Sequence, residues 1–157
     1  MAASQARLIR ERLQAILDTL PGITTVLTGA EDEITAAMLP AVRVLPGRVI
    51  RRQPNGARAH LITRAYRIVL YVARDDHASK LADQLTPITS AEDWLDVIPD
   101  ALKACPRLEL AGAGLAFVTG TEEVTVNDEP VQLQYRNGAY SGIVNDLPVT
   151  YVHLSTP

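Results

Sequence analysis

Residues 61–74 read Leu-Ile-Thr-Arg-Ala-Tyr-Arg-Ile-Val-Leu-Tyr-Val-Ala-Arg, rich in β-branched and aromatic residues and free of Gly and Pro. That composition predicts one long strand. Alternation puts Ile62, Tyr66, Ile68, Leu70 and Val72 on one face and Leu61, Thr63, Ala65, Val69, Tyr71 and Ala73 on the other. From Ile68 to Ala73 both faces are largely apolar, so the strand needs cover on both sides and belongs inside a sheet. At roughly 3.3 Å per residue the stretch spans on the order of 45 Å, long for a small domain. Because its first half carries Arg64 and Arg67, that end is expected to leave the core and project.

A chain of 157 residues argues for one domain, residues 1–157, with room for a real core. Aromatics make up only 4%, so Ala, Leu and Val must do most of the packing. No run approaches the roughly 18 apolar residues of a membrane span, and residues 1–12 lack the apolar segment of a secretory signal, so neither membrane nor export is expected. The single cysteine, Cys105, has no partner for an internal disulfide and reads as a small buried residue at a helix end.

The net charge of −3 hides a strong segregation. Between Ile34 and Arg74 lie eight arginines and no acid, whereas from Asp75 onward thirteen acids face four basic residues. Such asymmetry fits an anionic partner, complementary faces on successive copies, or pairing within one sheet.

Upstream of the long strand, Leu8, Leu13, Ile16, Leu17 and Leu20 fall at helical spacing, giving an amphipathic helix over 2–20 that Pro21-Gly22 stops. Ile23 to Leu27 reads as a short strand. The triplet Glu31-Asp32-Glu33 follows in a polar turn; without a histidine or further acid at ligand spacing it reads as a solvated loop or as an acidic patch for a neighbour's arginines. Residues 39–47 form a strand bracketed by Pro40 and Pro46 and hence near an edge. Gln53-Pro54-Asn55-Gly56 is a turn signal between two arginine-bearing legs, so about 47–64 is expected to be a protruding hairpin arm.

Downstream, Asp75-Asp76-His77 opens a turn, Ser79 to Leu85 suits a short helix, and Ser90 caps a helix whose apolar side is Trp94, Leu95, Ile98, Leu102 and Cys105. Pro99 inside that run predicts a kink or two abutting helices, and Pro106 ends it. Ala111-Gly112-Ala113-Gly114 leads into a strand and not a helix, which argues against a phosphate-binding turn. Strands follow at 115–119, 124–126, 131–135 and 143–154, with Pro148 placing the last at an edge or bulge. The order describes an α+β, two-layer fold: a mainly antiparallel sheet with helices on one face. Without a nucleophile, metal-ligand set or phosphate loop in the sequence, no enzyme and no cofactor are expected.

Element order resembles the tail terminator, or tail completion, proteins of long-tailed bacteriophages and related particles. The resemblance rests on the helix ending at Leu20-Pro21-Gly22, the Leu39-Pro40-Ala41 step into a strand, Pro46-Gly47, the Arg-rich hairpin feeding Tyr66 to Val72, the Asp93 to Leu102 helix, and Tyr140-Ser141-Gly142-Ile143 before a final strand. Asn145-Asp146-Leu147-Pro148 departs from the uninterrupted final strand of that pattern. The resemblance implies a structural virion protein at the head-proximal end of the tail, assembled in the host cytoplasm. It implies a hexameric ring that caps the tail tube, stops its polymerisation and presents the surface for head and neck joining, with DNA passing through the lumen. Its partners would be further copies, the tail tube protein and a neck or head-completion protein. The subunit or tube interface residues expected on this basis are Arg48, Arg51, Arg52, Arg58, Arg64 and Arg67, reaching an adjacent subunit or the tube beneath and meeting carboxylates such as Glu31, Asp32 and Glu33 or the acidic C-terminal half. The alternatives are a head-closure or neck connector protein, and a nucleic-acid-binding module that turns the basic arm on phosphates.

Overall fold

The computed structural model describes residues 4–74, 92, 94–126, 131–136 and 138–154. Helix α1 (Gln5–Asp18) starts at Ser4, whose hydroxyl accepts from the Arg7 amide at 3.2 Å. It buries Ile9, Leu13, Ile16 and Leu17 and ends before Pro21-Gly22, shorter at both ends than the sequence pattern proposed. Helix α2 (Val97–Lys103) buries Ile98 and Leu102. No kink forms at Pro99, because α2 begins at Val97 and Pro99 falls in the first turn, where a missing amide hydrogen breaks no helical bond. The expected turn at Asp75-Asp76-His77, the helix at 79–85 and the Ser90 cap lie outside the described residues.

Among the described residues seven strands form one sheet: β1 (Thr25–Val26), β2 (Ala41–Pro54), β3 (Ala59–Arg74), β4 (Val118–Thr121), β5 (Thr125–Val126), β6 (Val131–Tyr135) and β7 (Gly138–Leu154). The order is β1-β2-β3-β7-β4, with β5 and β6 following β4 along the same side of β7. Only the β1–β2 pair is parallel. Residues 61–74 are therefore central: β3 pairs β2 on one side and β7 on the other.

Two expectations need correcting. The β2–β3 hairpin exists, but its second leg is enclosed, because β7 runs beside β3 from Ala59↔Leu154 to Arg74↔Tyr140. Ile62 is 2% exposed and Tyr66 0%, so the first half of β3 stays in the core; what stands out is the outer edge of β2 and the turn at 55–58. The last strand is also interior and not an edge. Pro148 accepts the Glu122 amide at 2.9 Å through its carbonyl. Since N and C=O of one strand residue point the same way, its missing N–H faces that same side, at the break between β4 and β5 where no ladder bond is lost.

Helices α1 and α2 cover one face. There Tyr66, Ile68 and Leu70 join Val42, Leu147 and Tyr151 beneath α1 and α2, and Tyr66 donates its hydroxyl to the Ala6 carbonyl at 2.9 Å. A second core lies on the opposite face at one end of the sheet, where the segment between β1 and β2 crosses it. Leu27 and Ile34 pack there on Ala41, Val69 and Tyr71, and Tyr71 sits edge-on between Tyr135 and Tyr140 at 5.8 and 5.7 Å. At the other end none of the described residues packs over this face, which is the open face.

Candidate assembly surface

The open face is built from cross-strand rows. Arg51, Thr63 and Thr150 stand side by side on β2, β3 and β7, and the two threonine hydroxyls hydrogen-bond at 2.8 Å. Above them Arg51 reaches over β3 and β7 to form an ion pair with Glu122, which follows β4. Two rows further along, Arg67 Nε donates to Asp146 Oδ1 at 3.1 Å. Beside these pairs lies a depression of about 600 Å³ whose walls include Leu45, Pro46, Ala65, Pro148 and the half-exposed Ile50. Gly47 belongs to this wall for a steric reason: a Cβ there would fall 2.2 Å from the Ala65 carbonyl oxygen.

The six expected arginines do not form one patch. Strand alternation sends Arg64 to the helix-covered face, where Nη1 donates to the Gly47 carbonyl at 2.9 Å and Nε to the Tyr151 hydroxyl at 3.4 Å. Arg51 and Arg67 are engaged on the open face by acids of the same chain, so the internal-pairing option accounts for these two. Arg48, Arg52 and Arg58 are exposed and have no hydrogen bond or ion pair among the described residues. Arg48 borders the depression.

The acidic triplet divides in the same way. Glu31 is a structural residue: its carboxylate accepts from the Thr28 amide at 3.0 Å, the Thr28 hydroxyl at 3.0 Å and the Gly29 amide at 2.9 Å. The Thr28 amide, with help from these other donors, holds its pKa at about 2. Tyr135 Oη and Arg136 Nε donate to its carbonyl at 2.9 and 3.0 Å, which ties the loop to the β6–β7 hairpin. Asp32 and Glu33 are exposed. This loop lies at the Tyr71 end of the sheet, eight residues along β3 from Thr63, or roughly 25 Å by strand rise. Within one chain the triplet is therefore remote from Arg48, Arg51 and Arg52, and the β2 arginine near its loop is Arg43, which lies over the Tyr135 ring at 5.7 Å.

Sequence reasoning missed Glu122 and Asp146 as partners and Ile50 as an exposed apolar group. The only sequence signal for them was the acidic character of the C-terminal half. Among the described residues no three His, Cys, Asp or Glu side chains converge as a metal site. None of the described helices is long and apolar enough to cross a membrane. Burial pushes the Cys105 thiol above its ordinary pKa, and Glu109 adds to the effect, so the thiolate is disfavoured.

No protein-family model matches this chain, and none of the curated proteins matches it.

Proposed function

We propose that this chain is an assembly subunit that associates with further copies of itself through complementary charged surfaces. Within that class we propose a tail-terminator-like role. Copies form a ring on the end of a tail tube, stop its polymerisation and offer the surface for head and neck joining, while DNA passes through the opening without sequence-specific contact. The role is binding without bond chemistry, and its place is the head-proximal end of the virion tail. In the ring the outer edge of β2 with the turn at 55–58 acts as the contact arm.

The observation that carries the reading is the set of cations on β2. Arg48 and Arg52 stand exposed on this outer strand and Arg58 in the turn beyond it, without partners among the described residues, while Asp32 and Glu33 are exposed at the far end of the same sheet. Opposite charges that cannot meet within a chain favour head-to-tail contact between copies, which closes into a ring when the rotation allows. Exposed pairs each contribute only about 0–1 kcal/mol, so apolar contact must supply the rest. Images of the purified protein with and without tail tubes test the reading. Rings, or caps on tube ends, are expected; a persistent monomer that ignores tubes overturns it.

A further inference from the structure

Among the described residues, Ile50, Val97 and Leu154 are the exposed large hydrophobics. Ile50, 47% exposed, belongs to the open-face depression, with an apolar wall of Leu45, Pro46, Ala65 and Pro148 and the cations Arg48 and Arg67 at its margin. Val97, 37% exposed, starts α2 on the other side of the sheet. It is flanked by Asp96 and Asp100, both exposed, stacked one helical turn apart, and without side-chain partners among the described residues. One surface is a hollow with an apolar wall, where Asp146 of the same lining pairs with Arg67 and Arg48 is the cation left without a partner among the described residues; the other is an apolar knob between two carboxylates.

We propose that Val97, with Asp96 and Asp100, of one copy docks into the Ile50 depression of the next. The occupant is a second copy of this chain, and the proposal rests on the assembly reading above while naming its contact surfaces. Three observations select this pairing. The hollow and the knob lie on opposite faces of one sheet and so cannot meet within a chain. Their charges are opposite, with Arg48 on one side and Asp96 and Asp100 on the other left without partners among the described residues. Each carries an apolar group that water penalises and the other can cover. Because the two surfaces differ, the contact is head-to-tail and propagates from copy to copy.

Disulfide trapping tests this directly. In a Cys105→Ala background, Ile50→Cys with Val97→Cys in one chain is expected to give a ladder of covalent oligomers on oxidation. Either single variant alone is expected to give none, and a mixture of the two single variants only dimers. A second route needs no new thiol. Arg48→Asp or Asp100→Arg is expected to weaken self-association at low salt about tenfold, and the two together to recover most of it. If the wild-type protein associates but the ladder and the charge effects are missing, the docking pair is wrong and the assembly reading stands. If the wild-type protein stays monomeric and no ladder forms, both fall. A ladder without caps on tail tubes keeps the docking pair and removes the tail role.

Discussion

Arg51 of β2 and Glu122 beyond β4 form an ion pair although β3 and β7 run between their strands. Two side chains of ordinary length bridge that span only because the sheet curls toward its open face, so the pair reports the curvature. With the side chains 52% and 46% exposed, its energetic share is small. A double-mutant cycle on Arg51→Ala and Glu122→Ala, read by urea unfolding, is expected to give a coupling of about 0.5 kcal/mol that fades in high salt.

Charge reversal at the β2 edge is expected to act on assembly more than on folding. Arg48→Glu with Arg52→Glu should leave the unfolding midpoint nearly unchanged, since neither arginine has a partner among the described residues, while weakening self-association at low salt, with the gap from wild type narrowing as salt screens the charges. Sedimentation across a salt series checks this, and unchanged association at every salt concentration would count against the assembly surface.

Gly142 and Gly47 are held by backbone contacts that leave no room for a methyl group. A Cβ on Gly142 would fall 1.9 Å from the Leu70 carbonyl oxygen, and one on Gly47 2.2 Å from that of Ala65. Neither obstacle is the flexible end of a side chain, so strands must shift. Gly142→Ala and Gly47→Ala are each expected to cost about 2 kcal/mol or more in chemical denaturation. Gly120→Ala serves as the control, since a Cβ there meets nothing within 4 Å.

Asn145 is 1% exposed on the helix-covered face of β7, and neither polar atom of its amide has a hydrogen-bond partner among the described residues. A buried amide left unpaired lowers stability, and a β-branched apolar residue suits the strand. Asn145→Val is expected to raise stability by about 1 kcal/mol, or roughly 2–4 °C in Tm. A lower Tm would mean that the amide has a role the fold alone does not explain.

Acid should loosen the loop that ties β1 to the β6–β7 hairpin. Glu31 titrates at about 2 when folded against an ordinary value of 4.5, so its carboxylate stabilises the native state fully above 4.5. That contribution fades as the pH drops from 4.5 toward 2. Thermal melts of the wild-type protein and Glu31→Gln are expected to differ most near neutrality and to converge at the acid end. A constant gap across that range would show that the carboxylate charge is not what holds the loop.

Local chemistry was legible in the sequence wherever it was sufficient. The apolar spacing of α1, the Pro21-Gly22 stop, strand β6 at its stated bounds and the long central strand all follow from periodicity and turn residues within a short window. So did the placement of β2 near an edge, since β1 covers it only at Ala41 and Val42. The errors arose where a residue's meaning depends on a distant neighbour. Pro148 looked like an edge residue because sequence shows a missing donor but not the direction in which it would have pointed. Arg64 and Arg67 looked like the root of a free arm because sequence shows their charge but not β7 lying alongside.

The candidate site shows the same division. Segregated charge was countable from composition, and it motivated an assembly role before any fold was known. Which arginines are occupied was not countable, because Arg51 meets Glu122 and Arg67 meets Asp146 only through strand pairings more than seventy residues apart in the chain. By itself, then, the sequence determined that there would be a central apolar strand, two charged territories and a helix to cover one face, since these depend on residue type and spacing. Only the tertiary structure decided which cations remain free and where Ile50 and Val97 stand. Register and sheet curvature emerge from all the strands packing together, and no short stretch of the chain contains them.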